Sequence, residues 1–234
     1  MIPAEPETPI PDPLIWLAFA AAAAPTMRLG TCILIVPQRN PLVLAKELAT
    51  LDRVSGGRVE LGLGVGWMKE EFDALGVPWE RRGARNDEYI EAMQALWAGP
   101  HAEFHGDFVD FDPVTCSPRP IQEHIPILVG GDSEAAITRA VRLADGYFPG
   151  EGDADRLRSL VERVRHGAEA AGRDPASIGI NAMFGAHLGD PLAGIDELAD
   201  IGVDRVMVPA FAFAGRSGLE RLREFGENVI AQAD

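Results

Sequence analysis

Three short stretches hold the residues whose types and spacing can do chemistry. The first is Gly62-Leu-Gly-Val-Gly66. Alternate glycines on one face of a strand remove the side chains there, so a planar ligand or a neighbouring strand can approach the backbone closely. A dinucleotide fingerprint needs its third glycine three positions after the second, and Trp67 stands there instead, so that reading fails. The second stretch, Val129-Gly-Gly-Asp-Ser-Glu134, places a glycine turn between the carboxyl end of a strand and the start of a helix. Two readings stand side by side: Asp132 or Ser133 is an ordinary N-cap, or the helix-end amides and the Ser133 hydroxyl hold a phosphate. Glu134 is expected to face solvent, since its charge would repel an anion. The third is Gly30-Thr-Cys-Ile33, which is either plain strand or a bulge pressed against a ligand.

Other reactive side chains carry less. Arg81, Arg82 and Arg85 form a basic cluster that is expected to balance Glu80, Asp87 and Glu88 rather than to hold an anionic tail. The five histidines show no HxH or HExxH spacing, so metal ligation is not expected. His187 follows a strand closely enough to face a cleft, but a loop histidine without a chemical role is the simpler reading. No GxSxG elbow or Cys/His signature supplies a nucleophile with a base. Cys32 and Cys116 lack CxxC spacing, which points to a reducing compartment and no structural zinc. Redox chemistry borrowed from a cofactor remains.

These residues are positioned by an alternation of strands and helices. Strands are expected at 28–36, 58–65, 126–129, 146–149, 177–184 and 204–208, most of them followed by an amphipathic helical pattern, as in parallel βαβ units. Asn40-Pro41 restarts a helix whose Leu44, Leu48, Leu51 and Val54 form a core-facing stripe. Ser55-Gly-Gly57 ends it. Asp12-Pro13 caps an earlier helix that stops at Pro25 and reads as a buried core element. The long gap between the second and third strands is an insertion at about 67–120, with helices near Lys69–Leu75 and Arg85–Trp97 and a hairpin around Phe104–Phe111. Residues 1–12, with four prolines, form an irregular arm, and 13–234 read as one domain.

The charge balance of 21 basic against 36 acidic residues gives −15, which would be repelled by nucleic acid and anionic lipid. A small-molecule substrate is the natural partner. The apolar run Leu14–Ala24 is 11 residues, against about 20 for a membrane span, and Glu5, Glu7 and Asp12 before it have the wrong sign for a signal peptide. A cytoplasmic location is expected.

Pro11-Asp-Pro-Leu14, Arg28-Leu-Gly-Thr31, Val36-Pro-Gln-Arg-Asn-Pro41, Leu51-Asp-Arg-Val-Ser-Gly-Gly57, Leu63-Gly-Val-Gly-Trp67, Gly83-Ala-Arg-Asn-Asp-Glu88 and Pro126-Ile-Leu-Val-Gly-Gly-Asp-Ser133 occur in this order over about residues 11–210. Together they resemble the luciferase-like monooxygenase superfamily, and within it the F420-dependent oxidoreductases. The resemblance implies an α/β fold, a (β/α)8 TIM barrel with the cofactor at the carboxyl ends of the strands. The barrel is expected to be incomplete, with about six strands and the first two missing. The implied cofactor is F420, with FMN as the alternative. Thr31, Cys32 and Ile33 match a bulge, often with a non-prolyl cis peptide, that supports the ring. Gly64, Gly66 and Trp67 match the ring-side and ribityl contacts, and Gly130, Gly131 and Ser133 the phosphate turn. The family's early acid–base pair has no match, so no catalytic residue is assigned. A truncated, non-catalytic cofactor-binding or scaffold homologue is the other function class. Strands starting at Arg28 and Asp204 would be exposed edges, and a homo-oligomer is expected.

Overall fold

The computed structural model describes residues 10–150 and 153–232. The arm before Ile10 lies outside them. The chain divides into two compact units, residues 1–127 and 128–234.

The first unit opens with α1 (Pro13–Ala23). The Asp12 carboxylate accepts from the Leu14 and Ile15 amides at 3.0 and 3.1 Å, and Pro13 occupies the position whose amide would have no helical partner. Arg39 hydrogen-bonds Asp12 and holds its carboxyl below the usual range. The capping follows the sequence, but the burial does not. Leu14 and Ala21 face the core, while Ile15, Trp16 and Phe19 are 66, 63 and 75% exposed. A helix that is apolar all round has no polar face to mark which side meets water, so composition alone misplaces it.

Next come β1 (Leu29–Gly30), β2 (Leu34–Ile35) and α2 (Pro41–Ser55), with Asn40 capping α2 and Gly56 (φ +77°) closing it. Leu44, Leu48 and Leu51 are buried as expected, but Val54 is 69% exposed and Ser55 takes the inner position. β3 (Val59–Gly64) is buried along its whole length and pairs in parallel with β1 and β2. The excursion that follows contains α3 (Lys69–Leu75), α4 (Arg82–Ala98) and an antiparallel hairpin of β4 (Ala102–His105) and β5 (Asp110–Val114).

Two buried or half-buried carboxylates organise this unit through backbone amides. Asp52 on α2 accepts from the amides of Ile121 (2.7 Å) and Gln122 (3.0 Å) and from the Gln122 side chain (2.7 Å). Glu88 on α4 accepts from the amides of Asp107, Phe108 and Val109 at the hairpin turn. The Trp97 indole donates to the Ala45 carbonyl at 3.0 Å and fastens α4 to α2.

The second unit carries most of β6 (Ile127–Gly130), then α5 (Glu134–Leu143), β7 (Gly146–Phe148), α6 (Ala154–Ala170), β8 (Gly179–Met183), α7 (Pro191–Ile201), β9 (Arg205–Met207) and α8 (Gly218–Asn228). β6, β7, β8 and β9 pair successively, all in parallel. The six expected strands are therefore present, the first of them split into β1 and β2. Ser133, Asp153 and Asp190 cap α5, α6 and α7 with their side chains.

Candidate cofactor site

The split in the first strand has a definite register. Gly30 stands opposite Glu60 and Leu34 opposite Leu63, so Thr31, Cys32 and Ile33 face only Leu61 and Gly62. One residue is extra, which makes this a bulge rather than plain strand. The Cys32–Ile33 peptide is cis. The buried Thr31 hydroxyl donates to the Gly62 carbonyl at 2.6 Å and ties the bulge to β3.

The alternate glycines of β3 are the surface on which this bulge sits. A Cβ on Gly62 would lie 2.0 Å from the Thr31 carbonyl oxygen, and one on Gly64 would lie 2.1 Å from Ile33 Cδ1. Of the two uses for side-chain-free positions, close approach of a neighbouring strand is what these two serve. Gly66 has φ +80°, and a Cβ there would crowd the Phe72 ring and Ile35. The bulge's other side is open: Ile33 is 40% exposed, and Trp67 at the end of the stretch is 63% exposed. Cys32 is exposed as a residue, yet loss of water around its sulfur pushes the thiol up to about 11, so it stays protonated near neutrality.

The arginine cluster does not behave as the charge pattern suggests. Arg81 pairs with Asp107 at 2.6 Å. Arg82 lies 3.6 Å over the Trp79 ring and donates to the Gly66 carbonyl at 3.2 Å. Arg85 is buried, donates to the Pro78 carbonyl at 2.6 Å and lies 5.0 Å from the Phe108 ring. Arg81 is thus a surface ion pair, though with Asp107 across the hairpin, while Arg82 and Arg85 meet carbonyls and aromatic faces, because a guanidinium stacks and forks where a point charge cannot.

In the second unit the glycine turn is clamped from β7. The Gly131 amide donates to the Phe148 carbonyl at 3.1 Å, and the buried Tyr147 hydroxyl donates to the Gly131 carbonyl at 2.8 Å. Burial, then the nearby Asp132 charge, pushes the Tyr147 phenol far up. Asp132 accepts from the Gly150 amide and pairs with Arg156. Gly131 has φ +117°, a conformation that excludes most side chains. Ser133 is the N-cap of α5, its Oγ accepting from the Ala136 amide at 3.2 Å. Glu134 points outward with its side chain 81% exposed and pairs with Arg163. Capping by Ser133 still leaves the opening amides of α5 without intrahelical partners, and their partial positive charge suits an anion.

Thr31, Cys32, Ile33, Gly64 and Gly66 are thus brought together in one unit, with Trp67 beside them, and Gly130, Gly131 and Ser133 in the other. His187 packs against Phe184, ring centres 5.6 Å apart, with Gly194 beneath it. Tyr147 and Arg156 carry no signal in the sequence, and Asp132, the alternative N-cap there, instead pairs with Arg156 while Ser133 takes the cap. Tyr147 sits in a three-residue strand too short to show an alternation. Among the described residues no cluster of His, Cys, Asp or Glu is placed to hold a metal, and no helix is long and apolar enough to cross a membrane. A ring cofactor with a phosphorylated side chain needs a flat backbone wall and an anion seat. Taken by itself, the bulge in the first unit offers a backbone wall, and the Gly131 turn in the second offers amides that suit an anion.

The family description for luciferase-like monooxygenases matches residues 3–228, so the chain belongs to that family. An uncharacterized protein of Mycobacterium tuberculosis is 36% identical over 96% of this chain and 79% of its own length. The FMNH(2)-dependent dimethylsulfone monooxygenase of Pseudomonas putida is 37% identical over 70% of this chain, which spans 46% of that enzyme. The coenzyme F420 dependent tetrahydromethanopterin reductase of Methanopyrus kandleri superposes with a TM-score of 0.81 over 96% of this chain and 88% of its own, at 20% identity, which shows the fold. The fold is that of the luciferase-like barrels, and the proteins it resembles include one named as FMNH(2)-dependent and one named as coenzyme F420 dependent.

Proposed function

We propose that the protein is an oxidoreductase that passes a hydride between a deazaflavin, F420, and a small organic substrate. The observation that carries this reading is the bulge at Thr31–Ile33, seated on Gly62 and Gly64 with Ile33 turned outward. Its backbone and the Ile33 side chain orient one face of a ring and keep water from it. Hydride exchange at a ring carbon is the chemistry that such a cofactor supplies when bound. Gly130, Gly131 and Ser133, with the amides of α5, hold the phosphate. Arg82 donates to the Gly66 carbonyl and lies over the Trp79 ring, neither of which neutralises it, and its charge serves the acidic tail that distinguishes F420. FMN is the second reading, favoured by the identity with the Pseudomonas enzyme.

The test is separate titration of the purified protein with F420 and with FMN at fixed salt, followed by ligand fluorescence. F420 is expected to bind more tightly, Gly131→Val to abolish binding of both without loss of cooperative unfolding, and Arg82→Ala to weaken F420 more than FMN. Equal or tighter binding of FMN overturns the choice of F420. Unchanged affinity in Gly131→Val overturns the phosphate seat.

A further inference from the structure

The carboxyl end of α2 borders a pocket that the cofactor reading does not use. Arg28, Arg39, Arg81, Arg156 and Arg163 each pair with a carboxylate, as expected where 36 acidic residues face 21 basic ones. The side chains of Arg53, in the last turn of α2, and Arg119, in the link that follows β5, have no hydrogen-bond or ion-pair partner among the described residues. Both line one pocket of about 830 Å³, with Trp97, Pro118 and Glu123 among its other walls. Small-molecule sites run from about 300 to 1,000 Å³. The walls are fastened. Asp52, next to Arg53, accepts from the Ile121 and Gln122 amides, and the Gln122 side chain donates to the Val59 carbonyl at 2.8 Å, so the link carrying Arg119 is tied to both α2 and β3. The Trp97 indole is tied to Ala45 on α2. Burial raises the Cys116 thiol and the Lys46 charge opposes that rise, which sets a third cation beside the link.

We propose that this pocket binds a small organic phosphate, its head between Arg53 and Arg119 and its body against Trp97 and Pro118. Two guanidinium forks on separate elements call for an acceptor with three oxygens around one centre, whereas the two oxygens of a carboxylate are satisfied by a single fork. The charge balance makes the position selective. A net −15 repels anions from the surface at large, so an anion is retained only where cations are left unneutralised. The partial negative charge at the end of α2 favours a cation at Arg53, but it accounts for neither Arg119 nor the pocket. Val59 is the first residue of β3, and the bulge rests on Gly62 and Gly64, roughly 10–17 Å further along the strand at about 3.3 Å per residue. The pocket is therefore separate from the ring wall, and the proposal does not depend on the choice between F420 and FMN.

Isothermal titration calorimetry of the 234-residue chain in a phosphate-free buffer at low salt tests this, with phenyl phosphate as the probe and benzoate as its carboxylate counterpart. Phenyl phosphate is expected to bind, and benzoate to bind at least about 10-fold more weakly. Arg53→Gln and Arg119→Gln should each weaken phenyl phosphate by at least about 10-fold with unchanged far-UV spectra, and should leave the F420 and FMN titrations as in wild type. Arg53→Lys keeps a charge at the helix end and loses the fork, so it should also weaken the probe even if Arg53→Gln misfolds. Glu123→Gln removes a carboxylate from the wall and should tighten binding by about threefold. Absence of phenyl phosphate binding overturns the proposal. So does binding that Arg53→Lys and Arg119→Gln both leave intact, since the phosphate is then held elsewhere. Benzoate binding as tight as that of phenyl phosphate overturns the choice of a phosphate head.

Discussion

Replacing Gly62 and Gly64 one at a time by alanine separates a backbone obstacle from a side-chain obstacle on the same strand. At Gly62 the new methyl meets the Thr31 carbonyl oxygen at 2.0 Å, and ordinary contact begins at 3.4 Å, so the bulge and β3 must part by roughly 1.4 Å. That movement breaks the buried 2.6 Å bond from the Thr31 hydroxyl to the Gly62 carbonyl. Overpacking costs about 1–3 kcal/mol and a buried, unsatisfied polar group about 1–3 more. Gly62→Ala should therefore destabilise by about 2–6 kcal/mol, a large share of the 5–15 kcal/mol typical of a folded protein. At Gly64 the methyl meets only Ile33 Cδ1, at 2.1 Å, the far end of a side chain that is 40% exposed and can turn away. An off-rotamer side chain costs about 1 kcal/mol, and loss of glycine's unfolded-state freedom offsets about 0.4–1 kcal/mol. Gly64→Ala should then be nearly neutral for stability and should alter the ring-facing surface instead. Urea unfolding followed by far-UV circular dichroism reads the first effect, and cofactor titration reads the second. A Gly62→Ala protein within about 1 kcal/mol of wild type would refute the packing account.

Tyr147→Phe leaves the Gly131 carbonyl without its 2.8 Å partner and should cost about 1 kcal/mol while weakening phosphate-bearing ligands. Because the phenol is raised in the folded state, the stability it contributes is present below about pH 10 and is lost as pH rises through that value; pH-dependent urea midpoints should fall less steeply above pH 10 in the variant. Asp52→Asn sets an amide donor against the amides of Ile121 and Gln122 and should destabilise by about 3 kcal/mol, measured in the same way. Cys32, raised from 9.0 to about 11, should be alkylated by iodoacetamide about 100-fold more slowly at pH 7 than an unperturbed thiol, with Cys32→Ala as the reference for Cys116.

What could be read from sequence was mostly local. The caps at Asp12, Asn40, Ser133 and Asp153 each act within a few residues, and all were legible. The bulge was legible because Gly-Thr-Cys in a strand, together with the family resemblance, marks a place where pairing breaks. The exposure of α1 and of Val54 is not legible in the sequence, since neither residue type nor spacing says which apolar stripe another element will cover. The partners of Asp52 lie 69 and 70 residues away and are backbone amides, which every residue but proline carries, so no pattern of side chains announces them. The same reason hid Glu88. The partners of the arginine cluster are hidden in the same way, since nearby carboxylates are visible in a sequence and aromatic faces across a turn are not.

A cation at the tail of α1 comes from outside the helix. Arg58, at the entry to β3, donates to the carbonyls of Ala21 (2.9 Å), Ala24 (2.7 Å) and Met27. It also holds the Ser55 carbonyl at the end of α2, at 2.6 Å. An 11-residue segment is too short to be a stable helix alone in water, and its last carbonyls find this donor only once α2 has closed at Gly56 and delivered Arg58. Sequence separation then predicts an order of events: α2 and its turn should form first, from local contacts, and α1 should condense onto them afterwards across 31 to 37 residues. Mutations at Arg58 should in consequence mainly speed unfolding, while mutations inside α2 slow folding.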